Sequence, residues 1–213
     1  MKINMVTRLS VTNKVTGHHA YKAAKNGSLC HARQLISDIL PDISAFKNMK
    51  GFVCPVLKAS GNRIPLAFAE HMAQYSRLEV YSNILLEHEK HGTSMIERIL
   101  YEPKYSGQVI PGNYIIVDDV YTSGRTLLAL KRHIENHGGN VIAAFTIGSS
   151  RALSFEPDKY LLRTLLNHFP GITKMVNPEL LTNPQILYLL RFESLSRIQE
   201  ILHQRLIELF ELT

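Results

Sequence analysis

Asn113-Tyr114-Ile115-Ile116-Val117-Asp118-Asp119-Val120-Tyr121-Thr122-Ser123-Gly124-Arg125-Thr126 is the stretch on which the reading of this chain turns. Its first five residues, Asn113 to Val117, combine β-branched and aromatic side chains without a charge, the pattern of a buried central strand. Two acids follow, then a hydroxyl-rich turn around Gly124. Beyond the turn, Leu127, Leu130 and Ile134 repeat at helical spacing and Gly138-Gly139 closes the helix. A second apolar strand, Val141 to Ile147, comes directly after. A strand, a helix and a strand at this spacing are two parallel strands joined by a crossover helix.

The same unit recurs upstream. The run GFVCPVL at 51–57 predicts a buried strand over Phe52 to Leu57, and Lys58-Ala59-Ser60-Gly61-Asn62 is a small-residue turn. A helix starts at Arg63 with Pro65 near its first position and is expected to bury Leu66, Ala69 and Ala73. A further strand is expected over Leu78 to Leu85. Glu87 to Gly112 mixes charge, glycine and proline with no clean period, which predicts a long excursion or lid. Toward the N-terminus, the first 27 residues read as short strand-like pieces ending at the turn Asn26-Gly27. Ser28 then caps a helix carrying Leu35, Ile36, Ile39 and Leu40, halted by Pro41. Past Ser150 the pattern turns helical: Leu161, Leu162, Leu165 and Leu166 form a stripe stopped by Pro170. Asn183-Pro184 starts a second helix, and Leu195, Ile198, Leu202, Leu206 and Leu209 form a third. The expectation is an α/β protein with a parallel sheet covered by helices on both faces and a helical C-terminal extension. It divides into a basic N-terminal segment with the first helix (1–49), an α/β core (50–150) and the extension (151–213).

Composition excludes several classes. With 213 residues, 45% hydrophobic and 20% charged, the chain has the make-up of a globular protein and not of a disordered one. No apolar run approaches the ~20 residues of a membrane span, and the start lacks the apolar block of a secretory signal, so a cytoplasmic location is the default expectation. The two cysteines, Cys30 and Cys54, have no CxxC spacing and read as reduced, buried thiols. The net charge of +6 is uneven: residues 1–50 hold eight Lys or Arg against two acids, and the remainder balances. Such a segment can face nucleic acid. Here Lys2, Arg8, Lys14, Lys22, Lys25 and Arg33 are dispersed and lack interleaved aromatics, which favours a solvated face.

The acids and the turn carry chemistry together. A buried parallel strand delivers Asp118 and Asp119 at its C-terminal end, where open parallel sheets bind ligands. Thr122, Ser123, Gly124, Arg125 and Thr126 then enter a helix N-terminus, so hydroxyls and backbone N–H groups can converge on an anion, with no side chain at Gly124 to block its approach. A carboxylate pair beside a phosphate cradle suits a ribose 5-phosphate, the acids accepting from vicinal hydroxyls. The plain alternative leaves the acids as turn caps and the hydroxyls as a satisfied helix end. A Walker B reading of Ile115 to Asp119 fails because no Gly-Lys pair, and so no GxxxxGK[ST] loop, occurs.

IIVDDVYTSGRT resembles the phosphoribosyl pyrophosphate (PRPP) binding motif of the type I phosphoribosyltransferases. Its Asp-Asp-Val-Tyr-Thr-Ser-Gly run is most similar to competence-associated, ComF-like members, and Lys90-His91-Gly92 resembles, one residue short, a loop of the orotate enzymes. The resemblance covers roughly residues 50–150 and implies a Rossmann-like phosphoribosyltransferase domain. It implies that Asp118 and Asp119 act in catalysis by holding the ribose hydroxyls. It also implies that Thr122 to Thr126 hold the 5-phosphate, and that Lys58, Ala59, Ser60, Gly61 and Asn62 hold the pyrophosphate. Magnesium would arrive with PRPP and need no protein metal cage. The implied reaction transfers the phosphoribosyl group to a nitrogenous acceptor. Thr122 stands where purine-salvage members carry a base-contacting acid, so their acid–base chemistry does not transfer. Two other classes stay open at this level: a non-catalytic PRPP or nucleotide sensor with nucleic acid on residues 1–50, and an assembly module built on the terminal helices. Those helices could equally form a hood over the acceptor or a homodimer contact.

Overall fold

The computed structural model describes residues 6–8, 12–39, 46–58, 61–87, 94–149 and 156–211. Ala59, Ser60, the Lys90-His91-Gly92 run and the expected helix stop at Leu40-Pro41 lie outside them. The elements in chain order are β1 (Val6–Arg8), α1 (Thr12–Thr16), α2 (Tyr21–Lys25), α3 (Leu29–Ile39), β2 (Lys50–Pro55), β3 (Leu57–Lys58), α4 (Ile64–Gln74), β4 (Arg77–Val80) and β5 (Leu85–Leu86). They continue with α5 (Met95–Leu100), β6 (Tyr105–Ser106), β7 (Gly112–Tyr121), α6 (Arg125–Asn136), β8 (Gly139–Ser149), α7 (Lys159–His168), α8 (Asn183–Leu189) and α9 (Leu195–Glu211). Contacts divide the chain into two compact units. One comprises Met1–Glu89, Pro103–Thr122 and Thr126–Leu153; the other comprises Lys90–Glu102, Ser123–Arg125 and Ser154–Thr213.

The first unit is the expected α/β fold. Five strands form one sheet in the order β1-β8-β7-β2-β4, parallel at every pairing. From β2 the chain passes through α4 to β4 on one side; from β7 it passes through α6 to β8 on the other. The order therefore reverses between β2 and β7, the point at which doubly wound sheets open a crevice beyond their strand ends. One face of the sheet presents Val53, Ile115, Val117, Phe145 and Ile147 to Leu35 and Ile36 of α3 and to Phe68 and Met72 of α4. Each such aliphatic side chain, fully buried, contributes about 1.5–3 kcal/mol. The other face carries Tyr114, whose ring lies with Ile134 of α6 beside Gly139. Leu127, Leu130 and Ile134 are buried as their spacing predicts. A smaller sheet, β3-β5-β6, takes the chain away from the main one after β2.

Several expectations need correction. Between Thr12 and Lys25 the chain forms two short helices, not strand-like pieces. Five-residue helices are not self-supporting; these persist because Val15, Ala20 and Ala24 are fully buried, with α1 against β8 and α2 against α3. The strand expected over Leu78 to Leu85 is two pieces, β4 and β5, which pair in different sheets. β7 runs on to Tyr121, so Asp118 and Asp119 belong to the strand itself, held by β8 through the register pairs Asp118 to Thr146 and Tyr121 to Ser149. On α4, Ala69 is buried, Leu66 and Ala73 are half-buried, and Phe68 and Met72 carry the core contact. Cys54 is buried, whereas Cys30 is exposed.

The second unit is helical. Part of the Glu87 to Gly112 excursion is ordered here as α5, opened by a capping box in which Glu97 N–H donates to Ser94 Oγ (3.3 Å) and Ser94 N–H donates to Glu97 Oε2 (2.8 Å). Ile96 and Ile99 join Leu165, Phe169, Ile186 and Ile198 in one core. Gln185 Nε2 on α8 donates to the Arg98 carbonyl (2.8 Å), which satisfies one of the last carbonyls of α5. Arg205 of α9 pairs with Glu97, whose side chain is only 3% exposed. Along α9, Ile198 and Leu202 are buried and Leu206 turns outward at 39% exposure. None of the described helices is long and apolar enough to cross a membrane. Glu97→Ala removes the helix cap on Ser94 and the ion pair with Arg205, so it should lower the unfolding free energy by about 1–2 kcal/mol. This would be read as a fall in the urea midpoint with unchanged slope. Arg197→Ala, which breaks an exposed pair with Glu200, should leave the midpoint in place.

Candidate active site

Two strands of unequal length create the opening. β2 reaches only Pro55, paired with Val117, and one last bond runs from Val56 N–H to the Val117 carbonyl (2.9 Å). Among the described residues, Asp118 to Tyr121 therefore continue with β8 on one edge and no strand on the other. In a parallel ladder successive residues present their backbone groups to opposite edges. Val117 bonds toward β2, so the Asp119 N–H faces the vacated edge, and it donates to Asp118 Oδ1 at 2.9 Å.

The acids meet the first predicted loop. Asp119 is 4% exposed, and its Oδ2 accepts from Asn62 Nδ2 (3.4 Å). Asn62 Oδ1 in turn accepts from Ile64 N–H (3.3 Å), so the same side chain caps α4 and touches the acid. Lys58, at the end of β3, acts on Asp118 through its charge. Lys58, Asn62, Asp118 and Asp119 thus converge at the switch between β2 and β7, with Gly61 buried beside Asn62. Burial and, after it, the charge of Asp119 push the Asp118 carboxyl up to about 8, against the opposing pull of Lys25 and Lys58.

The second predicted loop leaves β7 as a left-handed turn. Gly124 has φ of 76°, a conformation that favours glycine, and it brings the chain into the 12-residue helix α6. Ser123 is buried and its Oγ accepts from Arg125 N–H (3.4 Å). Arg125 is 7% exposed at the start of the helix, and Thr122 is exposed. The Thr126 carbonyl accepts from the Tyr105 hydroxyl (3.2 Å).

One side chain at the acids comes from the N-terminal segment, where a solvated face was expected. Lys25, at the end of α2, forms an ion pair with Asp119 through the same Oδ2 that Asn62 reaches. Burial alone would lower the Lys25 ammonium, and Asp119 more than reverses this, leaving it above its ordinary value. Tyr21, one helical turn earlier, has its phenol raised by burial. The turn that carries Lys25 is fixed to the loop after β3: Arg63 N–H donates to the Ala24 carbonyl (3.1 Å), and a Cβ on Gly61 would lie 3.2 Å from the Gly27 Cα. Both glycines have positive φ, 103° at Gly27 and 98° at Gly61. The Asn26-Gly27 turn was legible in sequence, but a helix ending there was not, and so Lys25 had no place. Arg33, from the same basic segment, pairs with Glu70 at 2.8 Å.

The Asp118 shift sets a pH dependence. A carboxyl whose folded-state pKa lies above its unfolded one opposes folding once ionised. The folded chain is therefore favoured when Asp118 is protonated, and stability falls as pH rises from about 4 through about 8. Asp118→Asn should flatten the fall of melting temperature between pH 6 and 9 and raise the melting temperature at pH 8.5. An unchanged slope in the variant would show that Asp118 does not titrate there.

The phosphoribosyl transferase domain family matches residues 66–180, more than half of the chain. Among curated proteins, the Escherichia coli protein TraN is 34% identical over 151 residues, covering 65% of this chain and 34% of TraN. An uncharacterized protein of Haemophilus influenzae is 33% identical over 131 residues, covering 56% of this chain and 29% of its own length. The chain thus spans about a third of the length of the curated relatives it matches. Similar solved structures include an orotate phosphoribosyltransferase from Aeropyrum pernix, with TM-score 0.33 and 19% identity over 65% of this chain and 64% of that one. A hypoxanthine phosphoribosyltransferase from Staphylococcus aureus has TM-score 0.32 and 9% identity over 68% of each. With the family matched across α4 to the C-terminal region, and an acid pair at the switch point of a parallel sheet, this chain belongs to the phosphoribosyl transferase domain family.

Proposed function

We propose that the chain binds PRPP at the crevice between β2 and β7 and transfers its phosphoribosyl group to a nitrogenous acceptor. The observation that carries this reading is the placement of Asp118 and Asp119 on the vacated edge of β7, next to Asn62 and followed by the Gly124 turn into α6. In the proposed complex Asp118 and Asp119 accept from the two ribose hydroxyls. Thr122, Ser123, Gly124, Arg125 and Thr126 enclose the 5-phosphate at the α6 N-terminus, where backbone N–H groups and the helix dipole favour an anion. Lys58 to Asn62, including Ala59 and Ser60, hold the diphosphate.

The C1–O bond to diphosphate breaks, diphosphate departs with the electron pair, and the acceptor nitrogen forms the new bond to C1 and gives up its proton. The transition state resembles an oxocarbenium ion, as in glycoside cleavage. The Asp119 carboxylate, held beside the ribose, stabilises the developing positive charge at little reorganisation cost. Magnesium fits this donor set. Among the described residues no cluster of three or more His, Cys, Asp or Glu forms a metal cage, while the acid pair supplies oxygens for an ion that keeps phosphate and water ligands. Bound with PRPP, magnesium would lie toward Asp118 and Asp119 and neutralise charge on the leaving diphosphate.

The test pairs calorimetric binding of PRPP with magnesium and pyrophosphate release across nucleobases, orotate, nicotinate and anthranilate. Binding with release in at least one mixture supports the transferase. Binding with no release in any favours a PRPP sensor, and no binding at millimolar PRPP removes both. Gly124→Val puts a branched side chain where the phosphate must approach and should abolish binding of PRPP and of nucleoside monophosphates alike. Joint Asp118→Asn and Asp119→Asn substitution should keep phosphate binding and lower turnover by about a hundredfold or more. Normal monophosphate binding in the valine variant, or full turnover in the asparagine pair, would show these roles to be wrong.

A further inference from the structure

We propose that Lys25 is a ligand-binding residue that exchanges partners: it holds Asp119 in the free chain and moves onto the diphosphate of the ligand when Asp119 takes up a ribose hydroxyl. The inference rests on the proposed PRPP site and adds to it a cation from the N-terminal helices.

Three observations point to the diphosphate end. First, Lys25 and Asn62 converge on one oxygen of Asp119, so the ammonium sits on the side of the acid that Asn62 faces. Second, the backbone carrying Lys25 is pinned to the residues flanking Asn62, through the Arg63 N–H to Ala24 carbonyl bond and the close approach of Gly27 to Gly61. Third, the Lys25 side chain is only a third exposed, a placement that a merely solubilising charge does not need. A hydroxyl reaching Asp119 Oδ2 must displace the donors already there. An ammonium on a four-carbon stem has three N–H donors and can turn without moving its backbone. The group arriving beside it carries several negative charges, so the released cation gains a partner of higher charge than the one it gives up.

An ion pair that only fixes Asp119 predicts something different. Asp119 serves the ribose of every ligand, so loss of a purely supporting Lys25 weakens ligands with and without a diphosphate equally. The experiment is calorimetry on the full chain with PRPP, inorganic pyrophosphate and ribose 5-phosphate, each with magnesium, in the parent, Lys25→Met and Lys25→Arg. Lys25→Met should weaken PRPP and pyrophosphate by at least about tenfold, the size of one charge-assisted hydrogen bond, and change ribose 5-phosphate by less than about twofold. Lys25→Arg should restore the preference for PRPP over ribose 5-phosphate. If the methionine variant gives no folded melting transition, Lys25→Gln takes its place. Equal loss for PRPP and ribose 5-phosphate, or loss for neither, overturns the exchange while leaving the PRPP site standing. A parent chain that binds none of the three ligands overturns the site and the exchange together.

Discussion

β2 is shorter than its neighbour, and the site depends on that inequality. Val56 N–H makes the last bond to Val117, and after it the chain turns away as β3 into a second sheet. β7 has no such interruption and continues along β8 for four more residues, Asp118 to Tyr121. Two acids are thereby presented on a rigid strand at an open sheet edge, the most precise support a fold can offer a functional group. The backbone group left facing that edge is satisfied by Asp118 itself, so the opening carries no orphaned Asp119 N–H.

Segments far apart in sequence are tied together around those acids. Asn62 links the α4 N-terminus to Asp119, and the Gly27–Gly61 approach links the loop to the turn after α2. One positive charge of the first fifty residues is therefore committed inside the fold, through Lys25 to Asp119, while Arg33 meets Glu70 at the exposed surface. Net charge alone could not separate Lys25 from exposed Lys14, Lys22 and Arg33.

Much of this was legible in sequence, for reasons that differ by element. β7, α6 and β8 could be read because an apolar run, a helical stripe and paired glycines mark each boundary independently, and each local preference agrees with the final fold. The ends of β7 were not legible: the partner strand, and not composition, decides that Asp118 and Asp119 remain in a ladder. α1 and α2 escaped because five residues are too few for an apolar position to recur over successive turns, and burial of Val15, Ala20 and Ala24 holds them helical. The sequence Ser94-Met-Ile-Glu97 carried a capping-box signal for α5 that the surrounding charge obscured. Asp118 and Asp119 stand adjacent in the sequence, and Asn62 lies in a turn that local pattern marks, whereas Lys25 reaches the acids only through tertiary structure.

The two cysteines give the chain a built-in optical handle. Cys54 lies inside β2, with its thiol pushed up to about 12 by burial, and is protected from alkylating dyes. Cys30 is exposed near the start of α3, five residues beyond Lys25 and three beyond Gly27. A maleimide fluorophore would attach there without engineering, at a position covalently close to the helix end that meets Asp119. Its emission would make the N-terminal turn visible in stopped-flow mixing, on a timescale that calorimetry cannot reach.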